Sequence, residues 1–329
     1  MPLGSGFGRK ATRITVERQE LLDLRPEVPV LASGRCGSPV PARSVMSTTE
    51  RPTVIFLHVG KTAGATMRRA LRRQFGRNEV VEVKAPTVQP GRLRRDGAVA
   101  WFASLPEAER ARARLIMGHM TYGLHEAVPR PSEYVTLLRE PVALVRSQYG
   151  HVRRHEGHLL HREAQDHADL VSYIESGLSL EMDNSQTRAF AGDTTTPFGA
   201  CTRAMLDRAK ANLEGFTVAG LTERFDESIV AMIRAFDWKR VRYVVTNVDP
   251  TRSARAPLTD AELSTVREHN ALDLELYAWA SERFQRLVVD VPGFADDVES
   301  FRERNRRYRP IGRLATMPRK ASAALLRSR

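Results

Sequence analysis

Three groups of residues in this 329-residue chain have types and spacing suited to chemistry. The first is Gly60-Lys61-Thr62-Ala63-Gly64-Ala65-Thr66, which follows the apolar run Thr53–Val59 and precedes Met67, Ala70, Leu71 and Phe75 at helical spacing. A turn from a buried strand into a helix presents backbone N–H groups and the positive end of a helix dipole, so it attracts anions. Lys61 adds a mobile cation, and the hydroxyls of Thr62 and Thr66 add donors. The loop that wraps a nucleoside triphosphate, GxxxxGK[ST], would need glycine at residue 55, where the chain has Ile55. A phosphate-sized anion therefore fits better than a magnesium-bound triphosphate, and a P-loop nucleotide kinase is the weaker alternative.

The second group begins where Arg139 leaves the apolar run Tyr134–Leu138 and leads through Glu140 into Pro141. Proline suits a first helical position, because its missing N–H would have had no partner there. Ser147 lies about two turns further on, and the arginine fork suits phosphate. The third is His119, which follows Gly118 at the end of Leu115–Met117 and is a candidate general base. His151, His155, His158, His161 and His167 surround a polar helix without metal-binding spacing, which points to a solvated or substrate-facing surface. Cys36 and Cys201 have neither zinc nor disulfide-framework spacing.

These groups need rigid elements to hold them. Beyond the two runs above, Val80–Val83, Leu115–Met117, Phe216–Gly220 and Arg242–Thr246 read as strands. Helices are expected at Leu105–Arg114, at residues 166–191 and 202–213, and along Ile229, Met232, Ile233 and Phe236. Thr259-x-x-Glu262 is a capping box for a long helix reaching residue 287. Strands alternating with helices predict one doubly wound α/β domain, its mainly parallel sheet flanked by helices and its ligands at the carboxyl ends of the strands.

That domain is expected over residues 51–290, after a poorly structured, proline-punctuated segment, 1–50, in which Met46 is a candidate start. A basic tail, 291–329, follows. Composition of 42% hydrophobic and 27% charged residues excludes a collagen-like or disordered chain. The sequence has no apolar run of about 20 residues and no signal-peptide core, so a cytoplasmic protein is expected. Nine of the twelve net positive charges fall in residues 301–329, which disfavours a nucleic-acid groove across the body. An anionic membrane surface is the candidate partner for the tail, and a non-catalytic anion, nucleic-acid or membrane binder acting through it is a second alternative.

The first motif, Phe56-x-His58-x-Gly60-Lys61-Thr62-Ala63-Gly64-Ala65-Thr66, resembles the F-x-H-x-P-K-T-G-G-T loop of the second sulfotransferase family. That family contains the heparan-sulfate 2-O-sulfotransferase-like enzymes, and a bacterial-type member is expected. Gly60 and Ala63 depart from its usual Pro and Gly. Leu138-Arg139-Glu140-Pro141 with Ser147-x-Tyr149 is similar to its L-R-D-P…S-x-Y segment. Gly118-His119-Met120-Thr121-Tyr122-Gly123, Asn184-x-Gln186-Thr187-Arg188, the run Gly220–Ser228 and Asn270-x-x-Asp273-x-x-x-Tyr277 extend the resemblance over residues 53–285.

The resemblance implies a P-loop-like sulfotransferase fold. It also implies transfer of a sulfuryl group from 3′-phosphoadenosine 5′-phosphosulfate (PAPS), without a metal, to a hydroxyl of a carbohydrate or glycolipid. By the same analogy residues 60–66 hold the 5′-phosphosulfate, while Arg139 and Ser147 hold the 3′-phosphate. Arg188 would contact nucleotide or acceptor, with an arginine–acid pair on a helix as its other reading. Arg252 would close over the 3′-phosphate or be a solvated loop charge. Lys61 would stabilise the leaving phosphate and His119 would be the base. The 2-O branch has another histidine two positions before that base; Met117 stands there, leaving His119 without a neighbouring histidine in sequence.

Overall fold

Every residue of β1 (Thr53–Leu57) is buried, as expected of a β-branched apolar run in the middle of a parallel sheet. The computed structural model describes residues 51–83, 97–239, 241–245, 256–289 and 291–316. The remaining strands are β2 (Val80–Val83), β3 (Leu115–Gly118), β4 (Ser132–Leu138) and β5 (Val218–Leu221). Among the described residues they form one five-stranded sheet in the order β2-β3-β1-β4-β5, with every pairing parallel. The fold is therefore the expected doubly wound α/β architecture. The chain runs from β1 outward to β2, returns through β3, then crosses to β4 on the other side. The strand order thus reverses about β1, and such a reversal opens a crevice at the carboxyl edge.

The helices are α1 (Gly64–Arg72), α2 (Ala98–Ala103), α3 (Glu107–Arg112), α4 (Pro141–Arg154), α5 (His161–Asp166), α6 (Leu170–Glu175), α7 (Ser185–Ala191), α8 (Arg203–Glu214), α9 (Phe225–Phe236), α10 (Asp260–His269), α11 (Ala271–Val289) and α12 (Phe294–Thr316). The main core spans the sheet and α1, α8, α9, α11 and α12. A smaller cluster joins α4, α6 and α10 through Val145, Val152, Tyr173, Ile174 and Val266.

Four expectations are corrected. Arg242–Val245 is not a strand; the backbone N–H of Tyr243 donates to the side chain of Asn305 on α12, at 2.9 Å, in place of a ladder partner. Thr246 lies outside the described residues. The helix expected over 166–191 is broken into α6, a short 3₁₀ turn at Leu180–Met182 and α7, because Gly177 and Asn184 adopt left-handed backbone angles of φ 65° and 46°. The capping box at Thr259 and Glu262 is present, but its helix ends at His269 and α11 begins at Ala271, separated by Asn270.

The fourth correction concerns the basic tail, which is helical as far as Thr316. Phe294, Val298 and Phe301 are buried against the body, and α12 packs on α9. Its charge is also partly compensated: Arg302 pairs with Asp226 at 3.4 Å, Arg306 with Glu299 at 3.7 Å, and Arg307 with Glu303. Residues 317–329 lie outside the described residues, as does the whole segment 1–50.

Because Phe301 is 1% exposed, Phe301→Ala should cost about 3–5 kcal/mol and lower Tm by roughly 10 °C. The exposed neighbour Arg304 should tolerate alanine within about 0.5 kcal/mol. Scanning calorimetry on both variants checks this; equal melting temperatures would mean that α12 does not support the body.

Candidate functional site

The turn between β1 and α1 is bent by two non-glycine residues with positive φ, Lys61 at 63° and Ala63 at 59°. Thr62, between them, is fully buried, and its hydroxyl donates to the carbonyl of Val59 at 2.9 Å. The Thr62 hydroxyl is therefore a brace within the loop, a correction to its expected use as a ligand donor. Thr66 is 4% exposed. Gly64 is dictated by close packing, since a Cβ there would run into the imidazole of His58. Gly60 has more room: the nearest atoms to a Cβ at that position would be Gln148 Oε1 and Glu181 Oε1, both 3.9 Å away. Gly60, Lys61 and Ala63 are half-buried and Ala65 is exposed, so the loop faces solvent. Among the described residues no side chain caps α1, and its first turn contains no acidic residue. A helix start in that state leaves donors and positive potential for an anion.

Arg139 stands one residue beyond β4. Its backbone N–H donates to Gln186 Oε1 at 2.9 Å, and its carbonyl accepts from Gln186 Nε2 at 2.9 Å. Its guanidinium Nη1 donates to the carbonyl of Lys61 at 2.7 Å, joining the two anion-suited segments across 78 positions. Glu140 then caps α4, accepting from Val142 N at 3.0 Å and Ala143 N at 2.7 Å, with Pro141 as the first helical residue. Ser147 is half-buried on the same helix.

His119 follows β3 directly and is half-buried. Its Nδ1 lies 3.1 Å from the carbonyl of His58. A carbonyl only accepts, so Nδ1 carries a proton, and in the neutral ring the lone pair that a general base needs then sits on Nε2. The ring of His58, 6% exposed, stacks on that of His119 with centroids 4.3 Å apart and planes 27° apart. The histidine neighbour absent from the sequence around His119 thus comes from the end of β1, which sequence proximity alone does not show. Met117 is wholly buried and paired in register with Phe56 and Glu82.

Other expected residues lie elsewhere. Arg188 is fully buried, with Nε donating to Asp183 O at 2.8 Å, Nη2 to Pro197 O at 2.8 Å, and an ion pair to the Asp183 carboxylate. This corrects its assignment as a nucleotide contact: its donors are turned into the protein, and the arginine–acid reading holds. Arg252 lies outside the described residues. The ring of His151 lies tilted against that of His155 at 3.9 Å and edge-on to that of His158 at 5.8 Å, towards the end of α4 opposite Arg139, about 15 Å along the helix from Pro141. Among the described residues no group of three His, Cys, Asp or Glu is placed to hold a metal ion. Cys201 lies beside Asp183, at 3.9 Å; burial, reinforced by that carboxylate, pushes its thiol up to about 12.

The N-x-Q-T-R and N-x-x-D segments meet in a buried polar network. Asn184 Oδ1 accepts from Leu272 N and Asp273 N, both at 3.0 Å. The Asp273 carboxylate accepts from Gln186 N at 2.9 Å and Thr187 N at 2.6 Å. Each side chain caps the helix to which the other belongs.

A galactose-3-O-sulfotransferase family model matches residues 17–317. Heparan-sulfate 6-O-sulfotransferase 1 of Homo sapiens is 27% identical over 271 residues, an alignment covering 71% of this chain and 66% of the relative. Heparan-sulfate 6-O-sulfotransferase 3-B of Danio rerio is 25% identical over 266 residues, covering 70% and 63%. The chain spans 66% of the length of the first of these relatives and 63% of the second.

Ala63 is held where an L side chain costs about 1 kcal/mol. Ala63→Gly should therefore raise Tm by roughly 2–4 °C, whereas Gly64→Ala should lower it, since the new methyl meets His58. Thermal melts of the two variants test the loop geometry; a stabilising Gly64→Ala would refute it.

Proposed function

Because the chain belongs to the galactose-3-O-sulfotransferase family, we propose that it transfers a sulfuryl group from PAPS to a hydroxyl of a carbohydrate, on a glycan or glycolipid. The observation that carries this reading is the bond from Arg139 to the carbonyl of Lys61. It joins two anion-binding segments at one edge of the sheet, and His119 leaves the strand on the other side of β1. The donor set suits PAPS: an uncapped helix start and Lys61 for the 5′-phosphosulfate, and an arginine fork for the 3′-phosphate. PAPS, when bound, supplies the sulfuryl group and leaves as adenosine 3′,5′-bisphosphate.

The chain's own residues then divide the work. Lys61 places a positive charge against the phosphate on which negative charge develops. Arg139, with Ser147 on the helix it precedes, holds the 3′-phosphate. His119 takes the proton of the acceptor hydroxyl at Nε2 while its Nδ1–H stays on the carbonyl of His58. A nucleoside-triphosphate kinase is not favoured, because Ile55 is wholly buried within β1, where that loop needs glycine.

The finer placement in the 2-O-sulfotransferase-like branch draws on the phosphate loop and the Leu138–Pro141 segment. Relatives named for 6-O sulfation of heparan sulfate support a glycan acceptor. An anionic membrane surface remains a partner to test for the exposed arginines of α12.

Two measurements test the reading. Adenosine 3′,5′-bisphosphate should raise Tm well above the shift given by AMP, without magnesium; equal shifts would remove the 3′-phosphate site. In single-turnover sulfation of a glycan acceptor, His119→Ala should reduce the rate by about 10²–10⁴ with bisphosphate affinity nearly intact. Lys61→Ala should weaken binding and rate together. A folded His119→Ala enzyme within about threefold of wild type would place the base elsewhere.

A further inference from the structure

We propose that Gln186 is a positioning residue that sets donor specificity, by holding Arg139 where its guanidinium meets the 3′-phosphate. The inference rests on the function proposed above. β4 ends at Leu138, whose carbonyl accepts from Thr222 N at 2.7 Å, and among the described residues no strand pairing continues past it. At residue 139 the Gln186 side chain takes over. Its carboxamide carries an acceptor oxygen and a donor NH2 group, so it can meet a peptide's N–H and C=O as a neighbouring strand would. It uses both on the backbone of Arg139, at 2.9 Å each. The amide thus extends the ladder by one residue and fixes the direction in which the arginine leaves it.

The amide is itself firmly held. Gln186 is 0% exposed, and all seven residues of α7 are buried. The first turn of α7 is tied to Asp273, and Asn184 N donates to Asn270 Oδ1 at 3.1 Å. At its other end Ala189 O accepts from Tyr122 N at 2.9 Å, three residues after His119 in the chain. One buried helix is thereby bonded both to the arginine segment and to the stretch that follows the base. A side chain needed only for packing would not require both hydrogen bonds on the backbone of one functional residue.

The test uses the full chain and calorimetric affinities for adenosine 3′,5′-bisphosphate and AMP. Wild type should prefer the bisphosphate by about 100-fold, and Arg139→Ala should abolish most of that preference. Gln186→Met, similar in volume but lacking the two bonds, should lower the preference about tenfold while AMP affinity stays within about twofold. Destabilisation alone would weaken both ligands equally, and that result overturns the proposal. Gln186→Glu keeps the acceptor and loses the donor; it should give a smaller loss of preference and serves if the methionine variant does not fold. A preference unchanged in both Gln186 variants but lost in Arg139→Ala would overturn the role of Gln186 and leave the 3′-phosphate site standing. No preference in wild type would overturn the site and this proposal with it.

Discussion

Leu57 of β1 stands opposite Gly118 of β3 and Thr136 of β4, and this shared register brings the ends of three strands to one edge. Parallel strands make that possible, because all their carboxyl ends point the same way. His58 and the loop through Lys61 leave from β1, His119 from β3, and Arg139 from β4. A slip of one residue would turn a strand's side chains to the other face; between β1 and β4 it would separate Arg139 from the carbonyl of Lys61, and between β1 and β3 it would separate His119 from the carbonyl of His58. The Thr136 hydroxyl, which donates to the carbonyl of Leu57 at 2.7 Å, helps to fix that level.

Around this edge the chain buries polar groups and pairs them. Asp183 takes the Arg188 guanidinium, a backbone N–H from Gly199 at 2.8 Å and a side-chain N–H from Asn184 at 2.8 Å. Removing one partner of such a buried pair typically costs about 3–5 kcal/mol, because a charge is left uncompensated. The residues that look most chemical in the N-x-Q-T-R segment therefore act on protein groups. They set the geometry of residues that face outward.

The strands of the sheet were legible because each is a short, mainly apolar run bounded by turn residues, and the candidate edge followed from the doubly wound order. Lys61, Arg139 and His119 could be singled out because their spacing from strand ends is local. What was not legible depends on partners distant in sequence. Nothing near His58 announces that it will lie against His119, and nothing near Gln186 points to residue 139, 47 positions away. Arg188 read as a ligand because a buried arginine and an exposed one look alike in sequence. The run Arg242–Val245 has strand-like composition, yet Asn305 rather than a sheet edge takes the Tyr243 N–H.

The exchanged caps between α7 and α11 bear on how the molecule assembles. Their bonds join residues 86 to 89 positions apart, so neither helix can complete its first turn from nearby sequence. Until the chain has closed that long loop, both starts lack their side-chain acceptors, and the entropy of closure precedes the gain. The two helix starts therefore belong to one cooperative unit that opens and closes as a whole. Because α7 also holds the backbone of Arg139, the proposed anion site depends for its shape on that unit, and local fraying of α7 would loosen it while the sheet stays folded.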